Sequence, residues 1–435
     1  MNNISVIGLG KLGACMLASF ASRGFKVIGV EIDKKRAELL QKGKSFHFEP
    51  QLEEYLTKYK NNITITDDYR DAILNTDTTF IVVNTPTDSD GAFSTEQLKP
   101  ACKKIGTILQ EKRGYHLVVV TCTIMPGTMR NVVLSSIESI SGKIVTKDFG
   151  LCYNPEFIAL GSVIRDFLNP DFVLIGESDS KAGDLLTGIY EKLLEDPKVR
   201  RMSLENAEVT KIALNSYVTM KISFANLLAE LCEKIPGGNV DVITESLGMD
   251  RRIGKNYLKG AMSFGGPCFP RDNRAFSVAA KRYGIKMELP DVTDRVNQGH
   301  MEYVADLVSR YCGSGKVAIL GGSYKPNSDV IEASPSIEIA KHLVKKGIKV
   351  TIHDPVALKN IQTEYSNIFE CKESISECLK GADVCVIATP WDQYKNLNAD
   401  DFKEMNGSVI IDCWRILKSI PSTSRFKLIQ VGIGR

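Results

Sequence analysis

A glycine-rich turn near the N-terminus limits the folds open to this chain more than any other feature. Residues Gly8–Gly13 read GLGKLG and lie between a short apolar run, Ile4–Ile7, and a helical pattern, Leu12–Ser22. A second apolar run follows at Phe25–Val30. A G-x-G-x-x-G sequence that joins a strand to a helix inside a βαβ unit is typical of dinucleotide-binding domains.

Each glycine of this turn has a physical task. Gly8 permits the tight turn, Gly10 lets the backbone approach a pyrophosphate, and Gly13 allows the helix to pack closely on the strand. The free N–H groups at the start of the helix favour phosphate binding. We therefore also count Lys11 and Leu12, which open the helix, among the cofactor-binding residues.

The second strand ends at an acidic residue, Glu31. A carboxylate about 20 residues after the glycines accepts hydrogen bonds from the ribose of the adenosine. The same charge repels a 2′-phosphate, so the sequence predicts NAD rather than NADP as the cofactor.

The composition excludes several other classes of protein. The 435 residues are 43% hydrophobic and 25% charged, which is typical of globular domains and leaves room for two or three of them. The net charge of +3 is small, so we expect no nucleic-acid partner. We find neither a signal peptide nor an apolar run of about 18 residues, and we expect no membrane contact and a cytoplasmic location. The eleven cysteines form no C-x-x-C pair, so we expect reduced thiols and no metal site.

Two α/β patterns flank a helical middle. Apolar runs predict further strands at Thr79–Val83, His116–Thr121, Phe172–Ile175, Lys316–Gly322, Lys349–His353, Val384–Ala388 and Ser408–Asp412. Between the two patterns, Ser203–Glu233 predicts one long helix, and more helices follow it, interrupted by glycine-rich loops at Ile235–Asn239 and Ser263–Pro270. The predicted fold is α/β: two Rossmann-like, doubly wound parallel-sheet domains, joined by a long helix and a central helical domain. We place the domains at residues 1–200, 201–312 and 313–435.

The loop Phe264–Asp272, which reads FGGPCFPRD, is the most unusual segment. Its glycines allow a ligand close to the backbone, and Arg271 can favour the thiolate form of Cys268, while Asp272 can orient a base or a water molecule. On these residues alone, a buried cysteine in a turn is the more common explanation.

This loop resembles the G-G-x-C-[FL]-P-[KR]-D signature of the UDP-glucose/GDP-mannose dehydrogenase family, and the resemblance covers nearly the whole chain. It implies two successive hydride transfers to two NAD molecules, with a thiohemiacetal and then a thioester on Cys268, and Asp272 in a supporting role. It also assigns the first domain to NAD, the middle one to dimerisation and the active site, and the last to the nucleotide sugar.

Further motifs follow in the family's order. Residues 122–128, CTIMPGT, are similar to S-T-V-P-P-G-T, which implies that Thr123 positions the hydrolytic water. Residues 154–157, NPEF, match [SN]-P-E-F and imply that Glu156 is the general base and acid. Residues 207–215 resemble A-E-x-x-K-x-x-x-N, which implies that Lys211 and Asn215 stabilise an oxyanion.

The resemblance also implies binding residues. Residues 84–87, NTPT, resemble a cofactor-side loop, so Thr85 and Thr123 join the cofactor set. Arg252 matches an arginine that reaches the substrate from a dimer partner, so we expect a homodimer, with an interface on the long helix. The expected substrate-binding residues are Phe157, Lys211, Asn215, Arg252, Tyr257, Phe264, Gly265 and Lys325.

The chain departs from the family at three positions. Leu160 stands where the family has Glu, Val330 where it has Asp, and Glu332 where it has Arg. These changes bear on the sugar and on cofactor contacts. UDP-glucose is the first choice as substrate, and UDP-N-acetylhexosamine and GDP-mannose stay open.

Two other functions fit parts of the sequence. A Rossmann domain followed by helices also describes 3-hydroxyacid dehydrogenases, which transfer one hydride and need no cysteine. The departures from the family also fit a homologue that binds nucleotide without catalysis.

Overall fold

The computed structural model describes residues 3–417, 420 and 425–434. The chain forms two compact units, Met1–Ala213 and Leu214–Arg435. One helix, Leu204–Cys232, runs through the boundary and confirms the long helix expected at Ser203–Glu233. The division into three domains stays a prediction.

The first unit contains an eight-stranded sheet in the order β3-β2-β1-β4-β5-β6-β7-β8. Its strands are β1 (Asn3–Ile7), β2 (Lys26–Val30), β3 (Ile63–Thr66), β4 (Thr78–Ile81), β5 (His116–Val120), β6 (Phe149–Tyr153), β7 (Val173–Glu177) and β8 (Val199–Ser203). The order of the first six strands is that of a dinucleotide-binding sheet, with the switch point between β1 and β4.

Helices cover both faces of this sheet. They are α1 (Lys11–Ser22), α2 (Lys34–Gln41), α3 (Leu52–Lys58), α4 (Tyr69–Leu74), α5 (Leu98–Leu109), α6 (Ser135–Ser141), α7 (Val163–Leu168), α8 (Ser180–Leu193) and the start of α9 (Leu204–Cys232). A 3₁₀ turn lies at Lys60–Asn62 and a π-helical segment at Met129–Leu134.

Strand β5 shows why both faces are covered. Leu117 and Val119 pack into one apolar cluster, and Val118 and Val120 pack into another. Because successive side chains of a strand point to opposite faces, a continuous apolar run needs a core on each side.

The second unit repeats the arrangement with six parallel strands in the order β11-β10-β9-β12-β13-β14. They are β9 (Lys316–Leu320), β10 (Lys349–His353), β11 (Glu370–Cys371), β12 (Val384–Ile387), β13 (Val409–Asp412) and β14 (Lys427–Gln430). After the rest of α9, its helices are α10 (Val240–Met249), α11 (Phe269–Arg282), α12 (Glu288–Cys312), α13 (Pro335–Lys345), α14 (Leu358–Tyr365) and α15 (Ile375–Leu379), with 3₁₀ turns at Asp392–Asn396 and Ala399–Phe402.

The predicted fold class is confirmed, with small differences. The first sheet is not wholly parallel, because β7 runs antiparallel to β6. The expected strand Thr79–Val83 ends earlier, at Ile81, and Phe269 and Pro270 belong to α11 rather than to the preceding loop. A proline is well tolerated there, since the first turn of a helix needs no N–H from it.

Candidate active site

The glycine turn has the geometry that a dinucleotide requires. Gly8 has φ of +91°, and a Cβ at Gly13 would lie 1.9 Å from the Gly8 carbonyl oxygen, so neither position accepts a side chain. At Gly10, by contrast, an added Cβ would meet no atom within 4 Å. The open face at Gly10, the residue before α1, can therefore accept a pyrophosphate at the helix N-terminus.

The other predicted residues of the first unit follow the carboxyl ends of its parallel strands. Glu31 comes after β2, Thr85 after β4, Thr123 after β5 and Glu156 after β6. In open α/β sheets ligands bind along this edge, at the switch point. The fold therefore brings these residues to one edge of the first sheet.

Two contacts along this edge concern the cofactor residues. Glu31 is buried, and its Oε1 accepts a hydrogen bond from the Asp33 backbone N–H at 2.9 Å. The Thr85 hydroxyl donates to the Thr123 carbonyl oxygen at 2.8 Å, which ties the loop after β4 to the loop after β5.

Glu156 lies in a setting that suits a general base. Its Oε1 accepts from the Tyr190 hydroxyl at 2.9 Å, and the same hydroxyl lies 2.6 Å from Asn154 Oδ1. Burial raises the pKa of Glu156 from 4.5 to about 7, against the opposing effects of Tyr190 and Lys211. A carboxyl group with a pKa near neutrality can both take and return a proton at physiological pH.

Lys211 is buried and reaches the same segment. Its Nζ donates to the Glu156 carbonyl oxygen at 2.7 Å and lies 4.7 Å from the centre of the Phe157 ring. Phe157 in turn packs on Phe172. Lys211 is therefore not part of a solvated helix face, which is the ordinary place for a lysine.

Cys268 differs from every other cysteine of the chain. It is exposed, whereas nine of the others are buried and Cys371 is half-buried. It directly precedes α11, whose N-terminus carries a partial positive charge that favours a thiolate. Exposure and a helix N-terminus are the two features expected of a reactive thiol rather than a structural one.

Asp272 and Asn215 form a buried pair in the second unit. The Asn215 side-chain amide donates to Asp272 Oδ2 at 2.6 Å, and both residues are buried. Arg271 Nε lies 3.5 Å from Asp272 Oδ1, so this arginine faces the aspartate. The structure therefore adds an Asn215–Asp272 contact that the sequence did not predict.

Two glycines of the loop before Cys268 stand where there is no room for a side chain. A Cβ at Gly265 would lie 2.1 Å from the Ala333 carbonyl oxygen, and one at Gly266 would lie 2.6 Å from the Tyr324 ring. The segment that carries Lys325, beside Tyr324, is thus packed against the cysteine loop. Within the second unit, these contacts bring Lys325 and the predicted residue Gly265 into neighbouring segments.

The remaining predicted substrate residues are only partly brought together. Phe264 is buried and packs against Phe269, and Tyr257 packs on Phe269 as well, from a left-handed backbone position with φ of +61°. Arg252 is exposed and pairs with Asp250, at 2.6 Å between Nη2 and Oδ2. Within this chain Arg252 makes a local ion pair, and its expected reach to the substrate of a dimer partner stays a prediction.

The three departures lie in different surroundings. Leu160 packs against the apolar cluster of the first unit, and Val330 is buried in the second unit. Glu332 is exposed, next to the Ala333 carbonyl that faces Gly265. The first two changes replace charge with apolar packing, and the third places a negative charge beside the segment that contacts the cysteine loop.

Three residues that order this site were not predicted. Tyr190 holds Glu156, while Glu49 accepts from the Gly161 and Val163 N–H groups at 2.7 and 2.8 Å, and so fixes the loop that follows Glu156. Glu208, inside the A-E-x-x-K motif, accepts from two backbone N–H groups near Thr123. Only Glu208 stood in a motif that could have identified it.

In residues 3–417, 420 and 425–434, no cluster of three or more His, Cys, Asp or Glu side chains is arranged to hold a metal ion. Within the same residues, the helices are too short or too polar to cross a bilayer.

Comparison with known proteins finds the three domains of one family in order along the chain. Models of the UDP-glucose/GDP-mannose dehydrogenase family match residues 2–194 as its NAD binding domain, 205–299 as its central domain and 318–419 as its UDP binding domain. The glycine turn and the first sheet, together with the matched NAD binding domain, are those of an NAD-dependent dehydrogenase.

Individual relatives cover almost the full length. The chain is 36% identical to the UDP-glucose 6-dehydrogenase AglM of Haloferax volcanii, over 95% of this chain and 97% of that one. It is 31% identical to a GDP-mannose 6-dehydrogenase of Pseudomonas putida, over 91% and 92%. A solved UDP-glucose dehydrogenase from Pyrobaculum islandicum superposes with a TM-score of 0.90 at 30% identity, over 100% of this chain and 98% of that one.

The chain therefore belongs to the UDP-glucose/GDP-mannose dehydrogenase family. It is an NAD-dependent nucleotide-sugar dehydrogenase, and NAD is its cofactor. This confirms the predicted class and the predicted cofactor.

Proposed function

We propose that the chain oxidises UDP-glucose to UDP-glucuronate, through a thioester on Cys268. The observation that carries the proposal is the setting of Cys268: exposed, at the start of α11, and preceded by a loop with no room for side chains at Gly265 and Gly266. A nucleophile held there can trap an aldehyde and so divide a difficult oxidation into two easier steps.

The proposed roles are those that the family resemblance implies for these residues. NAD, held at the glycine turn Gly8–Gly13, would supply the hydride acceptor for each of the two oxidations at C6 of the sugar. Cys268 adds as the thiolate to the aldehyde carbon, and the thiohemiacetal so formed becomes a thioester after the second oxidation. Lys211 and Asn215 stabilise the negative oxygen on C6.

Hydrolysis completes the reaction. Glu156, with a pKa of about 7, takes a proton from the water that attacks the thioester carbon. Thr123 orients that water. Asp272 accepts a hydrogen bond from the side-chain amide of Asn215 and so holds this amide in one orientation. The C–S bond then breaks and releases the acid and the Cys268 thiolate.

The choice of UDP-glucose rests on two findings. The family model that matches residues 318–419 describes a UDP binding domain, and the relative at 36% identity is a UDP-glucose 6-dehydrogenase. UDP-N-acetylhexosamine and GDP-mannose are the alternatives. Membership of this family favours all three over a single-step 3-hydroxyacid dehydrogenase and over a homologue without catalysis.

We also propose a homodimer that forms through α9. Tyr217, Phe224, Leu227 and Leu231 are spaced to share one face of this helix, and each is about half exposed. Replacing Leu231 by Glu should convert a dimer to monomers in light scattering. A monomeric wild-type protein would contradict the proposal.

A panel of sugar nucleotides tests the function. UDP-glucose should give two NADH per sugar, and UDP-N-acetylglucosamine, UDP-N-acetylmannosamine and GDP-mannose should give less at equal concentration. Cys268→Ser should slow formation of the acid by on the order of 10³-fold, because no thioester can form. Cys371→Ser is the matched control in the same unit, and should react as the wild type does. One NADH per sugar would contradict the four-electron reaction.

A further inference from the structure

Glu208 makes two strong contacts that no proposed chemical step uses. The residue is fully buried on α9, and its Oε2 and Oε1 accept from the Gly127 and Met129 backbone N–H groups, each at 2.7 Å. These donors lie where the loop that follows Thr123 enters the π-helical segment Met129–Leu134. The first N–H groups of a helical segment have no partner inside it, so a carboxylate that accepts from two of them fixes the start of the segment.

Three residues further along α9, Lys211 holds a second loop. Its Nζ donates to the Glu156 carbonyl oxygen at 2.7 Å. Residues three apart on a helix lie on neighbouring positions of one face. A single turn of α9 therefore holds both the loop after β5, through Glu208, and the loop after β6, through Lys211.

The charge of Glu208 is costly in this place. Burial raises the pKa of Glu208, and the hydrogen bonds from Met129 and Gly127 oppose that rise. An apolar residue would fill the same volume without that cost, but it would leave two backbone N–H groups without acceptors. The carboxylate thus provides acceptors for these two N–H groups, and the two hydrogen bonds fix the position of α9 against the loop.

We propose that Glu208 is a positioning residue, which sets Lys211 against the Glu156 segment by fixing α9 to the loop after Thr123. The proposal rests on the proposed function, in which Lys211 and Glu156 act on C6 of the sugar. It differs from a purely structural role because it predicts a change at Lys211 and Glu156 as well as a change in stability.

The matched control is Glu205, three residues earlier on the same helix. Glu205 Oε1 pairs with Arg130 Nε at 2.7 Å in an exposed ion pair, and it also joins α9 to the segment after β5. Exposed ion pairs contribute little to stability or position. Glu208→Gln and Glu205→Gln each remove one negative charge from the same helix. The first removes it from a buried site and the second from an exposed one.

Kinetics give the first measurement. In Glu208→Gln one N–H faces the new amide nitrogen, α9 shifts, and kcat should fall on the order of 10²-fold, while KM for NAD changes less than about threefold. The groups that face Glu156 are the Tyr190 hydroxyl from α8 and the Lys211 ammonium from α9, and both lower its pKa. If Lys211 moves away, the acidic limb of the kcat–pH profile should move to higher pH. Glu205→Gln should match the wild type in both respects.

A second measurement does not depend on activity. Lys211 is buried, so acetic anhydride should label it slowly in the wild type and several times faster in Glu208→Gln, as read by mass spectrometry against Lys221. If the labelling rate and the pH limb both stay at wild-type values while stability falls, Glu208 is structural only and the proposal is wrong. If Glu208→Gln does not fold, Glu208→Asp, which withdraws the carboxylate by one methylene, is measured in the same way. A wild-type protein without dehydrogenase activity would overturn the proposed function, and the labelling would still decide the positioning.

Discussion

The six strands of the second sheet have the same order as the first six strands of the first sheet, but the segments that follow β1 and β9 differ. After β1, residues 8–10 lead directly into α1, so a helix N-terminus faces the switch point. After β9, residues 321–334 intervene before α13, and this longer segment packs on the cysteine loop through Tyr324 and Ala333. The same topology thus places a helix N-terminus, suited to phosphates, after the first strand of one unit, and a long loop that packs on the segment of Cys268 after the first strand of the other.

The acids at the ends of the second strands differ in the same way. Glu31 after β2 accepts one hydrogen bond, from the Asp33 N–H. Asp354 after β10 is buried and accepts from the backbone N–H groups of Gly322, Ser323, Val356 and Ala357, and also from Ser323 Oγ and Trp391 Nε1. The oxygens of Asp354 already accept hydrogen bonds from the chain itself and have no capacity left for the hydroxyl groups of a ribose. Of the two acids, Glu31 is therefore the one that suits a dinucleotide site.

The largest expected effect is on the rate of acid formation, and it concerns the residues that follow the sixth strand of each sheet. Glu156 follows β6, whereas Val431 and Gly432, which carry no titratable group, follow β14. In Glu156→Gln the rate of acid formation should fall about 10²- to 10⁴-fold, because the variant lacks the proposed general base. The wild-type rate should rise with pH through about 7, where Glu156 loses its proton, and the variant should lose this dependence.

The same titration should appear in stability. Between pH 4.5 and about 7 the folded protein holds a proton on Glu156 that the unfolded chain has released, so the free energy of unfolding should decrease as the pH rises through this range. Denaturant unfolding of the wild type and Glu156→Gln across this range measures the difference. Parallel curves for the two proteins would contradict the raised pKa.

The next largest effects are expected on stability and on NAD binding, when the acids after β10 and β2 are replaced. Asp354→Ala should destabilise the protein by about 3 kcal/mol or more, because several buried N–H groups lose their acceptor. Glu31→Ala should change stability by less than about 1 kcal/mol but weaken NAD binding about tenfold, since one ribose contact is lost. Urea unfolding and NAD titration on both variants provide the measurements. If Asp354→Ala weakened NAD binding as Glu31→Ala does, without loss of stability, the comparison of the two sheets would be wrong.

The smallest effect concerns the long segment after β9. Ala333 has φ of +47°, a left-handed conformation that favours glycine. Ala333→Gly should therefore stabilise the protein by up to about 1 kcal/mol. The gain is reduced by the greater conformational entropy of glycine in the unfolded chain. A loss of more than about 1 kcal/mol in thermal unfolding would show that the Ala333 methyl group supports the contact with Gly265.

The sequence predicted what depends on local pattern. The turn at Gly8–Gly13, the strands β5 and β10 and the long helix α9 follow from short-range periodicity, and the structure has them within a few residues. The strand expected at Phe172–Ile175 is also present as β7, but its antiparallel pairing with β6 was not predicted, and neither was the two-residue strand β11. Both depend on tertiary pairing, which no local pattern reveals.

The site shows the same limit. Motifs identified Cys268, Lys211 and Glu156, because each stands in a short recognisable run. Tyr190 was missed, since its hydroxyl reaches Glu156 from a helix 34 residues away in sequence. The sequence also could not predict the burial that raises the pKa of Glu156, because this burial depends on how the whole unit packs.

Mass spectrometry of Glu156→Gln is the most direct test of the proposed thioester on Cys268. This variant should oxidise UDP-glucose but hydrolyse the thioester slowly, so acid quenching during turnover should trap a hexuronyl adduct on the peptide that contains Cys268. The double variant with Cys268→Ser should carry none. Two NADH per sugar without any adduct, or wild-type acid formation by Cys268→Ser alone, would contradict the claim.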